Sequence, residues 1–145
     1  MDTLTAMQIS GSALKAERAR LNIAAMNLAN ANTTRTIEGG PYKAKSVVFA
    51  AKPLDGLNFQ DTLNSTNERL RKVEVVQVSE DKAPFKEVYD PSHPDADANG
   101  VVRLPNVNVA EQMVDMMSAK RSYEANVTAL DAIKSMALKA LEIGR

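Results

Sequence analysis

All six prolines of this 145-residue chain, Pro41, Pro53, Pro84, Pro91, Pro94 and Pro105, fall between residues 41 and 105. A proline inside a helix removes a backbone donor and clashes with the preceding turn, at a cost of about 3 kcal/mol, so the middle of the chain cannot be a long helix. Residues 1–40 and 106–145 carry no such obstacle. Alanine, the strongest helix former, follows the opposite rule: eight in residues 1–36 and seven in 106–145, against six in the longer stretch 37–105. The chain therefore divides into an N-terminal helical segment (1–36), a middle segment (37–105) and a C-terminal helical segment (106–145). The expected fold class is α+β, mainly α: long N- and C-terminal helices pairing as a coiled-coil-like hairpin, with a small β-rich insertion between them.

Leu4, Met7, Gly11, Leu14, Arg18, Leu21, Ala25 and Leu28 alternate steps of three and four, the spacing that turns one helix face toward a partner. The first helix is expected to run to about Asn32, where Thr33, Thr34, Thr36 and Gly39-Gly40-Pro41 stop it. Val109, Met113, Met116, Tyr123, Val127, Leu130, Ala137 and Leu141 repeat the spacing at the other end, interrupted by Lys120 and Lys134. Asn108 with Glu111 reads as a capping box and Gly144 as a terminator, giving a helix over 108–143 about 54 Å long at ~1.5 Å per residue. The methionines at 113, 116, 117 and 136 sit at helical spacing and read as packing. Gly11, Arg18 and Ala25 weaken the first stripe, and isolated helices are marginal in water. Leu14, Leu21 and Leu28, with Met113, Met116, Tyr123, Val127 and Leu130, are therefore expected to form an assembly interface with neighbouring chains, each terminus becoming ordered only on assembly.

Between the helices, Ser46–Phe49, Val73–Val78 and Phe85–Tyr89 are short runs rich in β-branched and aromatic residues, and Gly100–Leu104 adds a fourth after a turn. Residues 55–67 have the polar composition of a mobile loop. Arg69-Leu70-Arg71-Lys72, flanked by Glu68 and Glu74, reads as a solvated strand end rather than a nucleic-acid patch.

Little in the composition supports catalysis. Eighteen basic residues balance eighteen acidic ones, so a polyanionic partner such as nucleic acid is not expected. With no cysteine, disulfides, thiolate metal sites and cysteine nucleophiles are excluded. No apolar run approaches the ~18–20 residues of a membrane span. The start MDTLTAMQISGSALKAERARLN lacks a basic n-region ahead of an apolar core, so no cleaved signal peptide is expected. His93 is the only histidine and stands between Pro91 and Pro94, where it reads as a loop residue. Asp95-Ala96-Asp97-Ala98-Asn99-Gly100 reproduces the opening of a calcium-binding loop, but the twelfth position is Asn106 after Pro105 rather than a bidentate Glu. An Asx-rich turn is the better reading. No enzyme activity, cofactor or metal is expected. Two other readings are a soluble helical adaptor or chaperone-like binding module and a calcium-regulated enzyme.

The string Asn27-Leu28-Ala29-Asn30-Ala31-Asn32-Thr33, with the lead-in Glu17–Ile23, resembles the N-terminal signature of the flagellar axial proteins. Gly40–Lys45 with Val47–Phe49, and Tyr89–Asp97 (containing His93, Pro94, Asp95 and Asp97) with Gly100–Val102 and Pro105–Asn108, are similar to the basal-body rod family, of the proximal-rod type. Membership implies a structural subunit of the drive shaft, transmitting torque and walling the export channel. It implies polymerisation with copies of itself and with other rod subunits, with rod-to-ring junction proteins as further partners. It also implies passage through the flagellar type III export apparatus and a place in the rod where it crosses the periplasm. In the family the C-terminal helix lies innermost and the N-terminal helix packs outside it. Asn27, Leu28, Ala29, Asn30 and Thr33 would end the first helix, with Asn and Thr side chains bonding turn backbone or a neighbouring chain.

Overall fold

A computed structural model of the chain describes residues 3–54 and 70–143. Helix α1 spans Thr3–Ala29, strand β1 Lys45–Pro53, β2 Arg71–Glu80, β3 Lys86–Tyr89, β4 Val101–Leu104 and helix α2 Val109–Ile143. The class is α+β with helix predominating, as the proline distribution requires. Helix α1 stops three residues before the expected Asn32. There the Asn30 side chain folds back to donate to the Met26 carbonyl at 2.9 Å, and Ala31 N–H turns to the Leu28 carbonyl at 3.3 Å. Helix α2 begins where its cap dictates, with the Asn108 carboxamide oxygen accepting from the Glu111 N–H at 3.5 Å. The anticipated 55–67 loop and the Gly144 stop lie outside the described residues.

The four strands form two two-stranded sheets, β1–β2 and β3–β4. In the first, Asp81 N–H donates to Ala44 O at 2.7 Å, and Lys52 Nζ lies 3.0 Å from Glu74 Oε1. Partners thus rise along β1 while they fall along β2, an antiparallel pair. Both strands are longer than the β-branched runs that mark them, and Arg71 and Lys72 open β2. The second sheet is antiparallel, with Lys86 facing Leu104 and Tyr89 facing Val101.

Two compact units are built from interleaved stretches: 1–19, 48–77 and 119–145 in one, 20–47 and 78–118 in the other. In the first, Ala16, Leu54 and Ala119 are buried, and Ser12 Oγ donates to Ile9 O at 2.7 Å while accepting the Val73 N–H at 3.1 Å. An open groove of about 760 Å³ runs beside Gly11, Ser12, Ala16, Leu54 and Val73. In the second, Ala24, Tyr42, Ala44 and Val102 are buried. Four of these seven buried apolar residues are alanines, which bring little area each, so neither core is thick.

Candidate functional site

Asn27 is the only buried polar residue among the described ones, 1% exposed. A carboxamide offers two donors and two acceptor sites, and all four are matched here. Its Nδ2 donates to Lys45 O at 2.7 Å and to Gln112 Oε1 at 2.9 Å. Its Oδ1 accepts from Lys45 N–H at 2.9 Å and from Tyr42 Oη at 2.9 Å. One side chain thus ties the last turn of α1 to the start of β1 and the first turns of α2. Burial, then the nearby Glu80 carboxylate, pushes the Tyr42 phenol above its ordinary pKa, so its hydroxyl keeps the proton it donates.

Around this centre the rest of the turn is polar and self-bonded. Thr33 N–H and Oγ1 donate to Asn30 O and Oδ1, at 3.1 and 3.2 Å, and Tyr42 N–H donates to Thr33 O at 3.1 Å. Asn106 repeats the linking role between strands, accepting the Ala44 N–H at 2.8 Å and donating to Ala83 O at 3.2 Å. Arg20 and Asp115 form an ion pair between α1 and α2, and Thr34 Oγ1 donates to Asp95 Oδ2 at 2.8 Å.

The 90–100 segment closes the β3–β4 hairpin. Asp90 Oδ1 accepts from Ser92 Oγ at 2.6 Å and Ser92 N–H at 3.1 Å. Asp97 Oδ1 accepts the Asn99 and Val101 N–H groups at 2.8 and 2.9 Å, and His93 Nδ1 accepts the Asp95 N–H at 3.1 Å. Both carboxyl groups are held below the ordinary aspartate range. The Ser92 hydroxyl and then its N–H do this for Asp90, and the Val101 and then Asn99 N–H for Asp97. These acids shape backbone, as an Asx-rich turn should.

Of the residues expected at the interface, Leu14, Leu21 and Leu28 are half-buried, as are Met116, Tyr123 and Leu130. Met113 is 52% and Val127 36% exposed. The most buried positions of α1 are instead Ala16, Ala24 and Asn27. At 100° per residue they lie on a different face from the leucine row. Helix α2 turns Gln112, Met116, Ala119, Asn126, Leu130, Ile133 and Ala137 toward cover and leaves Val109, Met113, Val114, Met117, Met136, Leu138 and Leu141 exposed. Neither periodicity nor motif spacing marks Tyr42, Asn106 or Gln112. The one sequence signal for Tyr42 and Asn106 is that the stretches 40–45 and 105–108 resemble the rod family.

A fold whose hub is a saturated hydrogen-bond knot, and whose longest helix carries uncovered apolar residues, is that of a structural, assembling protein. Two family models match: one described as Flagella basal body rod protein over residues 7–35, the other as Flagellar basal body rod FlgEFG protein C-terminal over 98–143. The Asn27–Gln112 hydrogen bond joins these two matched segments. The chain belongs to the flagellar basal-body rod protein family; it is a structural rod subunit of the flagellar basal body, assembling with other rod subunits, and not an enzyme. Along its whole length it is similar to proteins named flagellar basal-body rod protein FlgC. The protein from Salmonella typhimurium (strain LT2) is 46% identical over 145 residues and that from Bacillus subtilis (strain 168) 43% over 153, each covering 100% of both chains. The Borreliella burgdorferi protein is 40% identical over 151 residues, covering 99% of this chain and 98% of its own. No helix among the described residues is long and apolar enough to cross a membrane.

Proposed function

We propose that the chain is a proximal-rod subunit, a segment of the drive shaft that transmits torque and helps to wall the export channel. It polymerises through residues 1–36 and 106–145, with 37–105 as the insertion that distinguishes it from other rod subunits. Leu14, Leu21 and Leu28 of α1, with Met113, Met116, Tyr123, Val127 and Leu130 of α2, meet equivalent helices of neighbours, α2 lying innermost. Asn27, Leu28, Ala29, Asn30 and Thr33 set the turn, and the loop with His93, Pro94, Asp95 and Asp97 belongs to this subunit type. The chain reaches the rod, where it crosses the periplasm, through the flagellar type III export apparatus in an unfolded state. Other rod subunits, further copies of itself and rod-to-ring junction proteins are its partners.

The observation that carries this reading is the full-length similarity, at 46% identity, to FlgC proteins. The apolar residues of α2 left in solvent by the chain itself support it. Deleting the gene and inspecting basal bodies tests it: rods that stop short, with neither filaments nor swimming, are expected, and normal swimming overturns the proposal.

A further inference from the structure

Asn99-Gly100 is the only Asn-Gly pair in the sequence. We propose that it is a spontaneous modification site, an amide that converts to aspartate and isoaspartate whenever the 90–100 loop is open and is shielded while the loop is closed. The reaction needs only water. The Gly100 backbone nitrogen gives up its proton to solvent and attacks Cγ of Asn99. A Cγ–N bond forms, the Cγ–Nδ2 bond breaks, and Nδ2 leaves as ammonia with a proton taken from water. The resulting five-membered imide is opened by water at either carbonyl. One route yields aspartate; the other yields isoaspartate, whose main chain runs through Cβ and is longer by one carbon.

Glycine after asparagine is the most permissive partner for this attack, because no Cβ obstructs the approaching nitrogen. Replacing that glycine also carries a cost. Gly100 has φ +74°, and a Cβ there would lie 3.0 Å from Tyr89 Cε2 and 3.2 Å from Pro91 Cβ. The hazard is therefore built into the hairpin. Closed, the loop opposes the chemistry at each point. Gly100 N–H, whose proton must leave, donates to Asp97 O at 2.9 Å. Gly100 O accepts the Asp90 N–H at 2.9 Å, and Asp97 Oδ1 holds the N–H groups of Asn99 and Val101. Four main-chain groups around the reacting bond are pinned, which fixes the backbone at Asn99 and keeps the Gly100 nitrogen in its hydrogen bond, away from the attack. The side chain itself is exposed, and water is at hand.

Tryptic peptide 87–103 contains Asn99 as its only amide side chain, so a mass gain there reports this residue alone. The chain is incubated at mildly alkaline pH, native and in guanidinium, and the peptide is followed by mass spectrometry. Conversion should be at least about tenfold slower in the native chain, each factor of ten corresponding to ~1.4 kcal/mol of loop-opening free energy. Asp97→Ala, which removes the Oδ1 acceptor, should raise the native rate toward the denatured one, and Asp97→Asn, which keeps that oxygen, should restore protection at Asn99, fragment spectra of the peptide separating a gain at residue 99 from one at the new amide at 97. Circular dichroism on each variant separates loop opening from global unfolding. Equal rates in native and denatured chain, or a denatured chain in which peptide 87–103 stays unmodified, overturn the proposal.

Discussion

At the scale of single residues, a buried amide is stabilising only while each of its polar atoms is matched, and Asn27 meets that condition. Asn27→Ala strands the Lys45 N–H and carbonyl, the Gln112 amide and the Tyr42 hydroxyl, and should cost about 2–3 kcal/mol. Tyr42→Phe removes one bond and should cost about 1 kcal/mol. Hydrogen exchange at the Lys45 amide reads both, with protection lost in the first variant and reduced in the second. For Asp90 and Asp97 the sign of the pH dependence follows from their depressed pKa values. The loop's stability is fully present above the ordinary aspartate range and is lost as pH falls through the folded values. The Asn99 and Val101 amide resonances should therefore move in acid with midpoints below those of a free aspartate. The Asp95–Asn99 sequence showed its turn-forming role through composition alone, because Asx bonding is local. Asn27 did not reveal its reach: its partner Gln112 is 85 positions away, and no local pattern encodes a contact that distant.

At the scale of elements, two glycines, one in a hairpin loop and one inside a helix, predict opposite outcomes. Gly100→Ala places a methyl group against Tyr89 and forces a left-handed φ on a residue with a Cβ, so the β3–β4 hairpin should lose about 1–2 kcal/mol. Gly11 stands inside α1, where an added Cβ would meet nothing within 4 Å. Gly11→Ala should therefore stabilise the isolated chain by up to about 1 kcal/mol, read as a higher thermal midpoint. The elements themselves were largely legible in the sequence. Proline exclusion placed both helices, and β-branched runs placed all four strands. Which face of α1 is most covered was not legible: periodicity gives the spacing of a stripe but not what packs on it. Ala16 and Ala24 are buried, whereas Leu14, Leu21 and Leu28 are only half-buried.

At the scale of the whole molecule, Leu138 and Leu141 are 54% and 72% exposed near the end of a 35-residue helix. Side chains of this kind are worth about 1.5–3 kcal/mol each when fully buried, an amount the chain alone does not realise here. Replacing both with serine should leave the circular dichroism of the isolated chain nearly unchanged and abolish rod assembly, scored by motility and by basal-body images. The isolated subunit should exchange amides freely toward both termini, and assembly into the rod should protect them. The sequence could signal such a surface only indirectly, through stripes too weak to hold a lone helix and through family resemblance.

The Asn27 knot also imposes an order in time. A chain synthesised from its amino end presents Asn27, then Tyr42 and Lys45, and completes the set only when Gln112 is added. Until then the amide keeps a spare donor and the first helix lacks its anchor to the second. The latch closes only once residue 112 is in place, so any shorter amino-terminal piece of the chain holds its first helix without that bond.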